Sequence, residues 1–321
     1  KIKKNIHPND DVNKSQSSND VIPTTINITV SLLFRDLEIA ISNLGIIVLQ
    51  KSKKLKSIIK SGRTHLMDAV PLSFEQELVV WHDQLAACKY ALDASIQEIA
   101  LLPIGGTAIG TGLNAPKKFG KNVCLELNKI FKKKRIKFSD LGDAKGAMIS
   151  SQNHILSMSG SLLRTSSCIT KICNDLRWMN SGPVSGLSEI TLKPLQPGSS
   201  IMPGKINPVS LESILMAMAQ ISGNHNTIIV ACISGNFQLN TMLPIIAHNI
   251  IESFNLLINS MYSLSNTINS FEVNIEKVNK SLELNPILAT KLNEVIGYDL
   301  ASKIVKEAYK NKKPIIEIAE K

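Results

Sequence analysis

Apolar residues recur at steps of three and four along several long stretches of the chain. The first stretch runs from Ile26 to Ile59, with apolar positions at Val30, Leu33, Leu37, Ile41, Leu44 and Val48. This spacing places the apolar side chains on one face of a helix. A second stretch begins near Ser73 and runs towards Leu102. Pro103 and the glycines between Gly105 and Gly112 predict that a loop follows it.

Three more helical stretches follow the glycine-rich loop. One spans roughly Ala144 to Trp178, the next follows Pro208, and the last follows Phe237. Each is near or above thirty residues long. No segment shows the sustained alternation of polar and apolar residues that is typical of a strand. Helices longer than about 25 residues are hard to bury within one monomer. The pattern therefore predicts an all-α bundle that assembles with further copies through its long helices.

Composition agrees with a helical core, and charge raises the question of nucleic acid. Hydrophobic residues make up 44% of the chain and aromatic residues only 4%, which favours a core of aliphatic side chains. The formal net charge is +10, and clustered lysines and arginines can bind phosphate backbones. The basic residues are scattered, however, and only 132–135 form a tight block. We interpret that block as a solvated connection and expect no nucleic-acid partner.

The cysteine pattern and the lack of long apolar runs predict the cellular compartment of the protein. The five cysteines are an odd number without a CxxC pair, and most lie inside apolar helical patterns: Cys88, Cys124, Cys168, Cys173 and Cys232. This usage indicates buried free thiols in a reducing cytoplasm. We find no apolar run of about 18 residues that could span a membrane, and no signal peptide. A cytoplasmic protein without a membrane partner is expected.

Chemistry is expected in three polar segments between the helices. The first, from His7 to Asp20, is dense in hydroxyl and amide groups, which can donate hydrogen bonds to a carboxylate without adding charge. The same residues also fit an N-cap and turn cluster before Pro23. The second, from Ser61 to Pro71, contains His65, whose imidazole can transfer protons if a carboxylate orients it. A lone histidine of this kind can equally be structural.

The third segment runs from Gln196 to Pro208 and is followed by Glu212. Its glycines and prolines interrupt helix formation and predict a loop with a mobile lip. Exposed hydroxyls, one lysine and free backbone N–H groups before a helix start suit an anionic substrate. The alternative interpretation is an ordinary connection between two helices.

Taken together and in this order, the three segments resemble the fumarase/aspartase superfamily, and their details look most like class II fumarases. Four further segments carry the likeness across nearly the whole chain: Gly105–Asn114, Asn174–Trp178, Ser234–Asn240 and Ile296–Asp299. His65 and Gly204 discriminate within the superfamily, because aspartases usually carry Gln and Ala at these positions.

The resemblance implies a fold and an assembly. It implies three helical domains whose long central helices form a twenty-helix core in a homotetramer, with each active site shared by several chains. By this likeness residues 1–15 are a remnant of the N-terminal domain, residues 16–275 form the central long-helix domain, and residues 276–321 begin a small C-terminal helical domain that is truncated.

The resemblance also implies reversible hydration of fumarate to L-malate, a small dicarboxylate reaction that uses no metal and no cofactor. Ser199 would remove the proton next to the distal carboxylate, which then holds the charge as an aci-carboxylate. His65, oriented by Glu212, would activate the water. The implied substrate-binding positions are Ser17, Ser18, Asn19, Thr64, Ser200, Lys205, Ile206 and Asn207. A second anion site is implied at Lys4, His7, Pro8, Asn9 and Asp10.

Two other functions stay open at this point. One is an aspartate ammonia-lyase, against which His65 counts. The other is a non-catalytic helical or basic binding protein, since a Ser-Gly-Thr segment of the family's N-terminal domain has no counterpart here. Val184 also stands where the family usually carries Arg.

Overall fold

The computed structural model describes residues 6–196, 198, 201–285, 293–311 and 313–319. Helices dominate these residues, and the predicted all-α fold is confirmed. The helices in chain order are α1 (Ser18–Lys54), α2 (Phe74–Ile99), α3 (Phe119–Ile130), α4 (Lys145–Ser150), α5 (Asn153–Met179), α6 (Val209–Cys232), α7 (Leu243–Ser270), α8 (Ile275–Glu283), α9 (Asn293–Ile296), α10 (Tyr298–Asn311) and α11 (Ile315–Ala319).

Short strands form three two-stranded sheets within the described residues. The strands are β1 (Ile59–Thr64), β2 (Met67–Ser73), β3 (Leu101–Leu102), β4 (Ser139–Asp140), β5 (Ile190–Thr191) and β6 (Glu272–Val273). β1 pairs with β2 and β5 with β6 in antiparallel fashion, whereas β3 and β4 are parallel. The β1–β2 hairpin was not predicted, because the sequence placed the first helix as far as Ile59.

Helix α1 begins at Ser18 rather than at Ile26 because its first turn is capped. The Ser17 hydroxyl accepts a hydrogen bond from the backbone N–H of Asn19 at 3.2 Å, and the Asp20 carboxylate accepts one from the N–H of Ser17 at 2.9 Å. These two bonds resemble a capping box, except that the Ser17 hydroxyl bonds to the second helical residue instead of the third. The interpretation of the first polar segment as an N-cap cluster is therefore confirmed.

The predicted single helix from Ala144 to Trp178 is wrong, because the backbone leaves the helix between α4 and α5. Ser151 is extended, with φ −134° and ψ 145°. The backbone N–H of Asn240 donates to the carbonyl of Ile149 at 3.1 Å. Gly235 packs so closely that a Cβ there would lie 2.4 Å from the carbonyl oxygen of Ser150. The 235–240 loop thus takes a carbonyl that a continuous helix would use internally.

The chain divides into two compact units, each built from three separate segments. Unit 1 comprises Lys1–Ser42, Leu85–Thr170 and Ser213–Tyr262, and unit 2 comprises Asn43–Gln84, Lys171–Glu212 and Ser263–Lys321. In unit 1, a hydrophobic cluster forms around Leu102, Ile104, Cys124 and Phe138. In unit 2, fully buried aromatic side chains include Phe74, Trp81 and Phe271. The division into residues 1–15, 16–275 and 276–321 stays a prediction.

None of the five cysteines forms a disulfide, and four of them are buried, as the sequence predicted. Among the described helices, none is both long enough and apolar enough to cross a lipid bilayer.

Candidate active site

His65 lies at the tip of the β1–β2 hairpin in unit 2. Thr64 pairs with Met67, which leaves His65 and Leu66 as a two-residue turn. Both have positive φ, 56° and 61°, the backbone of a type I′ turn, whose twist matches that of the flanking strands. His65 is exposed. The turn therefore presents the imidazole to solvent rather than to the core.

Ion pairs hold the body of this hairpin. The Lys60 ammonium, with its side chain only 3% exposed, lies 2.7 Å from the Glu189 carboxylate and 3.1 Å from that of Glu77. The Arg63 guanidinium donates to the other oxygen of Glu189 at 2.6 Å. Asn285 donates its side-chain amide to the Ser61 hydroxyl at 2.8 Å. A tip residue on such an anchored hairpin has a defined position.

A cavity of about 780 Å³ in unit 2 is lined by Gly204 to Pro208, the last five residues of the third polar segment. Four of the predicted site residues line it: Lys205, Ile206, Asn207 and Glu212. Glu212 lies in the first turn of α6, where its backbone N–H donates to the carbonyl of Pro208 at 3.2 Å. The local sequence thus brings the lysine, the amide and the carboxylate to one cavity.

Two cationic side chains that were not predicted from the sequence also line this cavity. Arg177, in the last turn of α5, and Lys193, after β5, line it together with Lys205. Three cationic side chains against the one carboxylate of Glu212 favour an anionic ligand. A signal for Arg177 existed, since it lies inside the Asn174–Trp178 segment that carries the family likeness.

The hairpin tip and this cavity stay separate within one chain. Thr64 and His65 are absent from the cavity's lining. Among the hydrogen bonds and ion pairs of the described residues, none joins His65 to Glu212. The His65–Glu212 pair therefore stays a prediction.

In unit 1, the other predicted substrate-binding residues lie at the N-terminus of α1. Asp20, which is fully buried, accepts hydrogen bonds from the backbone N–H groups of Gly105 at 2.8 Å and Thr107 at 3.0 Å. Asn19 donates its side-chain amide to the carbonyl of Ala108 at 2.8 Å. Ser18 is exposed. Its hydroxyl donates to the side-chain oxygen of Asn19 at 3.4 Å. A helix N-terminus attracts carboxylates, because its N–H groups carry partial positive charge.

The predicted second anion site forms an exposed turn in unit 1. Pro8–Val12 form one π-helical turn, and the backbone N–H of Asp10 donates to Nδ1 of His7 at 3.2 Å. The Asp10 carboxylate lies 3.2 Å from the same nitrogen. Lys4 of this site, and Ser199 and Ser200 of the loop, lie outside the described residues.

The sequence also matches known protein families and individual proteins. A family profile described as "Lyase" matches residues 1–223, and one described as "Fumarase C C-terminus" matches residues 288–321. A protein named "Fumarate hydratase class II" from Xylella fastidiosa is 44% identical over 99% of this chain and 67% of its own length. One of the same name from Thermus thermophilus is 40% identical over 98% of this chain and 67% of its own length.

The fold is also similar to that of a solved structure. The recombinant class II fumarase of Schistosoma mansoni superposes with a TM-score of 0.92 at 35% identity, covering 98% of this chain and 68% of that one. This chain spans about two thirds of the length of the curated relatives it matches.

Proposed function

We propose that this chain, which belongs to the class II fumarase family of lyases, catalyses the reversible hydration of fumarate to L-malate. Identity of 44% to a class II fumarate hydratase over 99% of the chain carries the proposal. The cationic cavity at Lys205, Asn207 and Glu212 supports it, because a small dianion needs such surroundings.

In the proposed chemistry, Ser199 removes a proton from the carbon beside the distal carboxylate of malate. The electron pair moves into that carboxylate, which becomes an aci-carboxylate with additional negative charge. Lys205 and Asn207 are the described residues best suited to stabilise it, since both are exposed and line the cavity. One preorganised donor of this kind typically contributes about 3 kcal/mol to transition-state stabilisation. The Ser199 proton affinity must be tuned by nearby donors, because a hydroxyl is a weak base near neutral pH.

The second step concerns the hydroxyl that leaves malate or adds to fumarate. We assign its protonation to His65 through a water, with Glu212 holding the imidazole in one orientation. Ser17, Ser18, Asn19, Thr64, Ser200 and Ile206 complete the proposed contacts to the two carboxylates.

The proposal includes a homotetramer whose active sites are shared between chains. The support is twofold. In a single chain the His65 turn is exposed and lies apart from the lining of the Glu212 cavity. Large apolar side chains also face solvent along the long helices, at Ile39, Ile46, Tyr90, Met216 and Val230. Apolar surface of this kind marks an interaction face.

The direct test is the loss of fumarate ultraviolet absorbance with malate formed. Activity should persist in EDTA, since no step uses a metal, and aspartate should release no ammonium. Activity on aspartate alone, or complete loss of turnover in EDTA, would contradict the proposal.

Two variants test the proton transfers. Ser199→Ala should lower kcat by about 10²–10⁴ with an unchanged circular dichroism spectrum, whereas Ser167→Ala, at an exposed position in α5, should keep full turnover. Near-normal turnover in Ser199→Ala removes Ser199 as the base.

A mixing experiment tests whether the sites are shared. Chains carrying Ser199→Ala and chains carrying His65→Asn are co-refolded, so that some mixed sites receive both native residues. Turnover should then exceed that of either variant alone. Turnover no higher than the mean of the two inactive samples would place both residues of one site in one chain.

A further inference from the structure

We propose that Cys88 and Cys168 form a two-thiol modification site in unit 1, which a peroxide converts into a disulfide between α2 and α5. Neither residue belongs to the candidate active site. The inference does not depend on which reaction the chain catalyses.

The geometry begins with close contact between two helices that run in opposite directions. The hydroxyls of Ser95 on α2 and Ser161 on α5 lie 2.8 Å apart, and Ser161 also donates to the carbonyl of Ala91 at 3.3 Å. Small side chains at this contact let the helices approach closely. Two turns away, the same register brings Cys88 against the turn that contains Arg164 and Cys168.

Contacts of the Cys88 sulfur agree with that register. Its thiol lies 3.9 Å from the carbonyl oxygen of Arg164. Cys168 lies one helical turn beyond Arg164, close enough to Cys88 to act on its pKa. Cys88 is 3% exposed, whereas Cys168 is partly exposed. The pair therefore joins one partly exposed cysteine, Cys168, to one buried cysteine, Cys88.

The electrostatics of this pair set it apart from the other cysteines. The hydrogen bond from Cys168, helped by the charge of Arg164 and a hydrogen bond from Thr165, lowers the pKa of Cys88 to about 7 against the opposing effect of burial. Burial instead raises the pKa of Cys124 to about 11, of Cys173 to about 12 and of Cys232 to about 11. Near neutral pH a large fraction of Cys88 is therefore deprotonated, while the thiols of Cys124, Cys173 and Cys232 stay protonated and unreactive.

The reaction balances with hydrogen peroxide as the oxidant. Transfer of the Cys168 proton to the Cys88 sulfur leaves the partly exposed Cys168 as the thiolate, which attacks one peroxide oxygen. The O–O bond breaks, and the hydroxide that leaves takes the proton from Cys88 to become water. The Cys88 thiolate then attacks the sulfenic acid at Cys168, the S–S bond forms, the S–O bond breaks, and the second hydroxide takes a proton from solvent to become water. Two thiols lose two electrons in total, and one peroxide is reduced to two waters.

The test is peptide mapping after peroxide treatment of the native, reduced chain. Trypsin places the cysteines in separate peptides, with Cys88 in residues 64–89, Cys168 in residues 165–171 and Cys173 in residues 172–177. After stoichiometric peroxide, quenching and alkylation, we expect one cross-linked peptide joining 64–89 to 165–171 within a single chain. Cys124, Cys173 and Cys232 should remain fully alkylated.

Variants and pH complete the experiment. Cys88→Ser should leave a sulfenic acid at Cys168 that dimedone traps, and Cys173→Ser should cross-link like the parent chain. The rate of thiol loss at the pair should rise about tenfold between pH 6 and pH 8, as a thiolate with this pKa requires. Cross-links between other cysteines, a link between two chains, or oxidation of Cys168 to the sulfinic acid without a link to Cys88 would each overturn the proposal.

Discussion

The two units of the chain bury polar groups in different ways. In unit 1 the most deeply buried polar groups meet backbone and neutral partners: Asp20 accepts three backbone N–H groups, and buried His154 contacts the Asn27 amide oxygen at 2.9 Å. The ion pair of Lys145 with Asp140 at 2.7 Å is less deeply buried, with side chains 11% and 22% exposed. Unit 2 relies on charge, with Lys60 and Arg63 converging on Glu189, whose side chain is 3% exposed. Removing one partner of a buried ion pair strands the other charge, whereas a neutral network loses only hydrogen bonds. Substitutions in the two units should therefore lower the free energy of unfolding by different amounts and with different dependence on pH.

The largest expected effect is at Glu189. Glu189→Gln keeps the side-chain shape but removes the charge that Lys60 and Arg63 share. The free energy of unfolding should fall by about 3–5 kcal/mol, because a buried cation loses a partner. Urea unfolding followed by circular dichroism measures this, and hydrogen exchange should show faster opening of the β1–β2 hairpin amides. A loss below about 1 kcal/mol would mean that Glu77 alone neutralises Lys60.

A smaller loss is expected at Asp20. Asp20→Asn leaves one oxygen to accept hydrogen bonds and turns an N–H₂ group towards the donors of Ser17, Gly105 and Thr107. We expect a loss of about 2–3 kcal/mol, since buried donors are left unpaired. Asp10→Asn is the matched control, because the Asp10 side chain is 82% exposed. Equal stability of the two variants would contradict the role assigned to the buried carboxylate.

His154 should make unit 1 sensitive to acid. Burial lowers its pKa from 6.5 to about 4, so between these values the unfolded chain binds a proton that the folded chain does not. Its contribution is complete above pH 6.5 and is lost as pH falls towards 4. From pH 7 to pH 5 the free energy of unfolding should fall by about 2 kcal/mol from this group.

The matched variant for the acid effect is His154→Gln, which keeps a polar side chain beside Asn27 without titrating. Between pH 7 and pH 5, the free energy of unfolding of this variant should fall by about 2 kcal/mol less than that of the parent chain. Parallel pH curves for the two chains would remove His154 as the cause.

The smallest effect is expected at an exposed pair. Lys129 and Glu126 lie 2.7 Å apart on α3, but their side chains are 72% and 66% exposed. Glu126→Gln should change the free energy of unfolding by less than about 0.5 kcal/mol, because solvent screens such pairs. The same substitution at Glu189 is several times more costly under the burial argument. Similar values at the two positions would show that burial does not decide what these ion pairs contribute.

Much of the helical fold could be predicted from local spacing, and each failure has a physical cause, either local or distant in sequence. The second helix was expected from Ser73 to Leu102 and is found from Phe74 to Ile99. The hairpin before it was missed, because Gly62 to Leu66 show no alternation and the turn carries His-Leu instead of the usual Asn-Gly. The break at Ser151 was missed because its cause, the 235–240 loop, lies far away in sequence.

The residues of the candidate site were also only partly predictable from the sequence. Lys205, Asn207 and Glu212 are close in sequence at the start of α6, so their common cavity could be expected. Arg177 and Lys193 reach that cavity from other elements, which spacing alone does not reveal. The partner of His65 stays a prediction, because it depends on how chains assemble.

By itself the sequence determined where the long helices lie and which segments carry the family's chemistry. Helical hydrogen bonds and side-chain faces repeat within four residues, and motifs are contiguous, so both can be read locally. Tertiary structure alone decided which polar groups are buried and which partners they meet, such as Glu189 with Lys60 and Cys88 with Cys168. Those contacts join residues many positions apart, and their energies depend on the exclusion of water, which is a property of the folded chain.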